Sequence, residues 1–206
     1  MRKNVLAMLV LLCLLIPASV GARSLVNVSL GFGASYLPEE GLDFTQGLSD
    51  PDNWLFHGEI SARLAFLQAQ ALVLPMQCEE GDQGILLIGM GSLSLPMVGS
   101  LMSLEVGGGV GLTYIPSNSE DTRPSYILGS GDQVDVDAIS FAEALYHSPI
   151  YLQAGLASEV GPLGVRLRYL MKSRTTLGES IGNKGWWSLF AIDSAALSLV
   201  LSLKMF

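Results

Sequence analysis

The chain has 206 residues, half of them hydrophobic and only 15% charged, with a mean hydropathy of +0.44. Eleven Lys and Arg stand against 19 Asp and Glu. That balance excludes a disordered chain and a nucleic-acid binder, and the length suits one domain with its own core or a small barrel.

Arg2 and Lys3 precede an unbroken apolar run from Val5 to Ile16, followed by Pro17 and the small-residue stretch Ala18 to Ala22. This order reads as a secretory signal peptide, residues 1–22, cleaved after Ala22, with the mature domain at residues 23–206. The apolar run is too short for a spanning helix, which needs about 20 residues. Cys13 leaves with the signal, because Leu12 before it is not the small residue that lipid attachment requires. Cys78 is then alone, so the mature chain has no internal disulfide despite export.

From Val26 the chain alternates with period two, the pattern of a strand with two different faces. Val26, Val28, Leu30, Phe32, Ala34 and Tyr36 oppose Asn27, Ser29, Gly31, Gly33 and Ser35. Phe56, Ile60, Ala62 and Leu64 then oppose His57, Glu59, Ser61 and Arg63. Weaker strands are expected over 67–76 and 84–95. Met102, Leu104, Val106, Val110, Leu112 and Tyr114 oppose Ser103, Glu105, three glycines and Thr113. A third weak strand is expected over 149–159. Val165, Leu167, Tyr169 and Met171 oppose Arg166, Arg168 and Lys172; Leu197 to Met205 alternate with Ser198, Ser202 and Lys204. That makes eight strands.

A soluble sandwich also alternates, so the pattern alone does not decide the solvent. Length and the character of the second face do. The clear strands are longer than the 5–6 residues typical of soluble sheets, and a tilted membrane strand needs about 9–11. The second face is small, hydroxylated or charged in both signs, as in a narrow polar lumen. No outward position on the five clear strands is charged. Connections alternate in length: long polar loops at 37–53, 77–83, 116–148 and 173–188, short turns near 65–67, 96–100 and 161–164. The acidic residues concentrate in the long loops, giving an acidic rim. Trp54, Trp186, Trp187, Tyr36 and Tyr114 fall at strand ends towards those loops, as an aromatic girdle would. These features predict an all-β fold: an eight-stranded antiparallel up-and-down transmembrane β-barrel with long extracellular loops and short periplasmic turns.

The signal peptide, the eight alternating strands, the glycine-rich strand Glu105 to Tyr114 and the C-terminal Phe206 together resemble the small outer-membrane barrels of the A, X and W types. The resemblance spans the mature chain and is architectural. It implies the outer membrane of a diderm bacterium, with outer-membrane lipid and the barrel-assembly machinery as partners. It also implies a structural or surface-interaction role, or a narrow W-type channel for small or hydrophobic molecules. In one respect the chain departs from the family: Phe206 is in phase with Lys204 and Ser202 rather than with the outward apolar residues, so the insertion signal is imperfect.

Two other classes compete. A membrane-embedded lipid-modifying enzyme would need a serine, a histidine and an acid, and the only histidines are His57 and His147. His57 shares a face with Glu59, and a serine from another strand could reach them, but His57 reads as a polar lumen histidine near the loop end rather than as part of an active site. A soluble periplasmic ligand-binding barrel is the remaining alternative. Asp132, Asp135 and Asp137 offer calcium-type oxygens without the spacing of the helix-loop-helix motif, and are expected to be a solvated loop with no metal. Gly107-Gly108-Gly109 lies inside a strand and precedes no helix, so it is no phosphate loop. Ser140-Phe141-Ala142-Glu143 has the form of a capping box opening a short helix. No cofactor is expected. The principal candidate site is the lumen, where Glu59, Arg63, Glu105, Arg166, Arg168 and Lys172 share the inner phase. An eight-stranded barrel is only about wide enough for its own side chains, so these six should form one paired network.

Overall fold

The computed structural model describes residues 26–37, 50–77, 83–98, 101–115, 125–127, 133–134, 140–182 and 186–205. Cleavage after Ala22, Cys78, the acids Asp132, Asp135 and Asp137, and Phe206 lie outside these residues, as does the side chain of Trp186. Eight long strands make the wall: β1 Val26–Tyr36, β2 Trp54–Leu64, β3 Leu67–Gln77, β4 Gln83–Val98, β5 Met102–Ile115, β6 Pro149–Val160, β7 Leu163–Thr176 and β8 Ile192–Lys204. Each pairs antiparallel with its successor, and β8 returns to β1. The sheet is therefore a closed up-and-down barrel with no free edge along the wall.

At one end, the turn end, two hairpins are two residues long. Gly161 opens the second with φ +61°, and Ala65 opens the first with φ +56°. Ala65 explains why that turn carries no sequence signal: an alanine occupies the left-handed conformation that glycine normally supplies. At the opposite, loop end, β5 continues into a ribbon with Ser125–Ile127, which in turn pairs Gln133–Val134. Helix α1, Phe141–Tyr146, forms where the capping box predicts it, with Ser140 Oγ accepting from the Glu143 amide at 3.3 Å. The amide of Leu177, which opens helix α2 (Leu177–Gly182), donates to the Ser148 carbonyl at 2.9 Å. This bond ties the third long connection to the fourth.

Alternation places every strand with one face in and one face out. The outer face is apolar: Leu30, Phe32, Phe56, Ile60, Leu64, Val165, Leu167, Leu199, Leu201 and Leu203 are all exposed, Phe32 and Leu201 each to 63%. Phe32 and Phe56 stack across β1 and β2 with ring centroids 6.0 Å apart. A continuous apolar band of this kind exceeds what soluble monomers leave in water. Among the described residues no helix is long and apolar enough to cross a membrane; the wall itself has the length and surface to do so.

On β5 the inner face carries glycine at 107, 109 and 111. A Cβ on Gly109 would collide with the backbone of β4 at Gly89 and Met90. Glycine is what allows the two strands to approach this closely.

Three expectations need correction. β7 and β8 run further towards the loop end than their apolar alternation, to Thr176 and from Ile192. Pairing persists there although the outward residues are no longer apolar. Secondly, the inner face is not polar throughout, because β3, β4, β6 and β7 carry large apolar side chains inward at the loop end. Thirdly, the aromatic girdle is incomplete: Tyr36 is buried against Trp54, ring centroids 5.6 Å apart, while Trp187 is 69% exposed and packs on Phe190.

Candidate functional site

The lumen has two levels. The turn-end half holds the ions. Arg63 on β2 makes a two-pronged bond to Glu159 on β6, Nη1 to Oε1 at 2.5 Å and Nη2 to Oε2 at 3.0 Å. Arg166 on β7 donates to Glu59 on β2, and its Nε lies 2.8 Å from Glu105 Oε2 on β5. Arg168, two residues along, gives Nη2 to the other Glu59 oxygen at 2.5 Å. Three guanidinium groups thus meet three carboxylates across the lumen, and the group is neutral as a whole. Charges buried this deeply persist only when paired and hydrogen-bonded.

A file of amides extends the pairing. Gln153 on β6 donates to Gln70 Oε1 on β3 at 2.6 Å. Gln70 Nε2 lies 2.6 Å from the Gln68 amide oxygen, and the Gln68 amide nitrogen lies 3.0 Å from Glu105 Oε1, in the amide orientation that satisfies both ends of Gln68. Ser29 and Ser61 share a hydroxyl bond of 2.6 Å nearer the turns. The cavity at this end measures about 20 Å³, room for a water or two.

The loop-end half is different. Leu72 and Leu74 on β3, Ile88 and Met90 on β4, Tyr151 on β6 and Leu170 on β7 form one buried cluster, with Leu86 against it. This plug stands between the ionic half and the loop mouth on that side of the barrel. On the facing side, His57 sits between Ser35 and Ser198, with ring nitrogens 3.3 and 3.4 Å from the two hydroxyls. Its ring occupies the space that a Cβ on Gly33 would need, at 2.6 Å.

Of the six lumen residues expected from the sequence, Glu59, Arg63, Glu105, Arg166 and Arg168 are brought together. Lys172 is not. It lies at the loop end, 29% exposed, with Nζ 3.6 Å from Asp193 Oδ2. The cause is a change of phase: the β6–β7 register shifts between Pro149 and Tyr151 and the β7–β8 register between Ile192 and Ser194. Past Leu170, Ser173 and Thr175 take the inward positions. Sequence reasoning missed Glu159 and the three glutamines, all on weakly patterned strands. The available signal was a charge or amide two residues from another inward position.

Of the residues considered for hydrolysis, His57 meets two serine hydroxyls, Ser35 and Ser198, but its ring nitrogens are both turned to them and not to an acid. His147 caps α1 at the rim with its ring edge-on to Tyr146, centroids 5.6 Å apart, while His57 is buried in the wall. Glu59, the acid nearest His57 in sequence, is taken by two arginines. Among the described residues no group of three potential metal ligands converges.

Closed wall, apolar exterior and filled interior define the class: an eight-stranded transmembrane-type β-barrel. No protein-family model and no curated protein matches the chain. Solved structures similar to it include the N-terminal β-barrel domain of Pseudomonas aeruginosa OprF, at 12% identity and TM-score 0.49, covering 88% of this chain and 98% of that one. Outer membrane protein H (OprH) from P. aeruginosa in DHPC micelles is similar at 15% identity and TM-score 0.49, covering 87% and 99%. Neisserial surface protein A is similar at 14% and 0.42, covering 90% and 100%. The architecture is established by the strand order itself, independently of these similarities.

Proposed function

We propose that the chain is an integral outer-membrane barrel with a structural or surface-interaction role and a lumen closed to bulk flow. The observation that carries this reading is the filled interior inside an apolar wall: a neutral ionic cluster at one end and an apolar plug at the other. A channel of the W type would require both levels to move aside. The long loops, rich in acids, face the cell exterior and present the surface on which a partner would dock. The turn end faces the periplasm, outer-membrane lipid surrounds the wall, and the barrel-assembly machinery inserts it.

Planar-bilayer recording tests the closed lumen. The purified barrel is expected to give no steady conductance above the bare membrane, and a large, sustained, porin-like current would overturn the reading.

A further inference from the structure

Where the third and fourth long connections meet, the rim at the loop end is a built surface. Helix α2 opens with a reciprocal cap: the Thr176 amide donates to Glu179 Oε2 and the Glu179 amide to Thr176 Oγ1, both at 3.3 Å. Ser148 is buried between the helices. Its hydroxyl donates to the Ala144 carbonyl of α1 at 2.8 Å, and its own carbonyl takes the Leu177 amide of α2. The two helices lie so close that a Cβ on Gly178 would strike the Tyr146 ring. A 3-10 turn, Trp186–Phe190, follows α2 and is held to β7 by the Thr175 hydroxyl, which donates to the Ser188 carbonyl at 2.8 Å.

This fixed platform turns large apolar side chains outward. Phe141 on α1, Ile181 on α2, and Trp187 and Phe190 on the 3-10 turn are 59–71% exposed. Lipid around the wall does not account for them. On β7 and β8 the apolar outward run ends first, and Lys172, Arg174 and Asp193, paired with one another, come between it and the platform.

The surrounding charge selects what covers these side chains. The four connections that leave this end carry fifteen acidic residues and two basic ones, Arg123 and Lys184. A second copy would bring the same negative excess and be repelled, and so would a phosphate headgroup. A cationic partner is attracted. Aromatic side chains held on a preorganised surface are the anchors that carry most of the energy of an interface, and opposite charge around them adds rate and specificity.

We propose that the platform docks a protein segment in which lysine or arginine flanks apolar side chains. The inference deepens the surface-interaction reading above and rests on it.

The test places the full mature chain in nanodiscs of phosphatidylcholine, which has no net charge, with empty discs as the blank. The probe is a short soluble peptide alternating lysine with phenylalanine. Two comparison peptides replace its phenylalanine by serine or its lysine by glutamate. Trp187→Ser combined with Phe190→Ser strips the platform, while Met97→Ser removes an exposed apolar residue at the turn end. The unaltered chain and Met97→Ser are expected to bind the probe at least about tenfold more tightly than either comparison peptide, with a margin that shrinks as salt rises. The double variant should lose that margin. Equal binding of the lysine–serine peptide, preference for the glutamate peptide, or undiminished binding by the double variant overturns the proposal and leaves the membrane reading standing. Self-association of the barrel that the double variant abolishes assigns the platform to a second copy and overturns the cationic partner. A chain that does not enter the discs overturns the membrane reading and the proposal with it.

Discussion

The two halves of the lumen are filled by opposite means. At the turn end, three arginines and three glutamates are held by charge and by directional hydrogen bonds, so geometry decides their worth. At the loop end, Leu72, Leu74, Ile88, Met90, Tyr151 and Leu170 are held by shape and by exclusion of water. The first half should be sensitive to loss of a charge even when volume is kept; the second should accept apolar substitutions that preserve volume. The bore of such a barrel is set by strand number, and neutral amides and hydroxyls, Gln68, Gln70, Gln153 and the Ser35–His57–Ser198 group, fill what the ions and the plug leave.

The largest effect should come from breaking the ionic half. Glu59 is buried and accepts from both Arg166 and Arg168. The Nε and Nη1 groups of Arg168 find no acceptor among the described residues. Glu59→Gln keeps the volume and removes the charge, so Arg168 loses the carboxylate it pairs with among the described residues. Removing one partner of a buried pair costs about 3–5 kcal/mol. Urea unfolding of the barrel in detergent should show that loss, and an unchanged midpoint would mean that the cluster is solvated.

The apolar half should respond to volume instead. Leu72 is 1% exposed at the centre of the plug, and Leu72→Ala should cost about 2–5 kcal/mol through lost burial and the cavity left behind. Leu72→Met, which conserves volume, should cost less than about 1.5 kcal/mol. The same unfolding measurement reads both. If Met costs as much as Ala, the plug is not held by packing, and the contrast between the halves fails.

The halves also differed in how far the sequence revealed them. Strands β1, β2, β5, β7 and β8 were legible because a polar or small inner face opposes an apolar outer one, and the ionic cluster follows from that phase. β3 and β4 were weak for a physical reason. Leu72, Leu74, Ile88 and Met90 face inward while Val73, Ile85 and Leu87 face outward, so apolar residues occur on both faces and the period fades. β6 hides Tyr151 and Gln153 in the same way, its inward side mixing aromatic, amide and glycine. The apolar plug is therefore built from the residues that blur the strand pattern. Only the closed register shows that they converge.

Lys172 is where phase reasoning overreached, and it provides the smallest effect. Counted by twos from Arg166 and Arg168 it belongs to the lumen, yet Leu170 intervenes, and past it the register shifts carry Ser173 and Thr175 inward. Lys172 is left beside Asp193 at 3.6 Å, with the two side chains 29% and 44% exposed. Arg174 approaches the same carboxylate, also at 3.6 Å, so Asp193 keeps a cation if Lys172 is lost. Ion pairs this open to solvent contribute about 0–1 kcal/mol, and salt screens them. Lys172→Ala should therefore lower stability by less than about 1 kcal/mol, and the difference should shrink further in high salt, whereas the Glu59→Gln loss should persist there. A Lys172→Ala loss comparable to that of Glu59→Gln would place Lys172 among the lumen ions after all, and would mean that the phase does not change past Leu170.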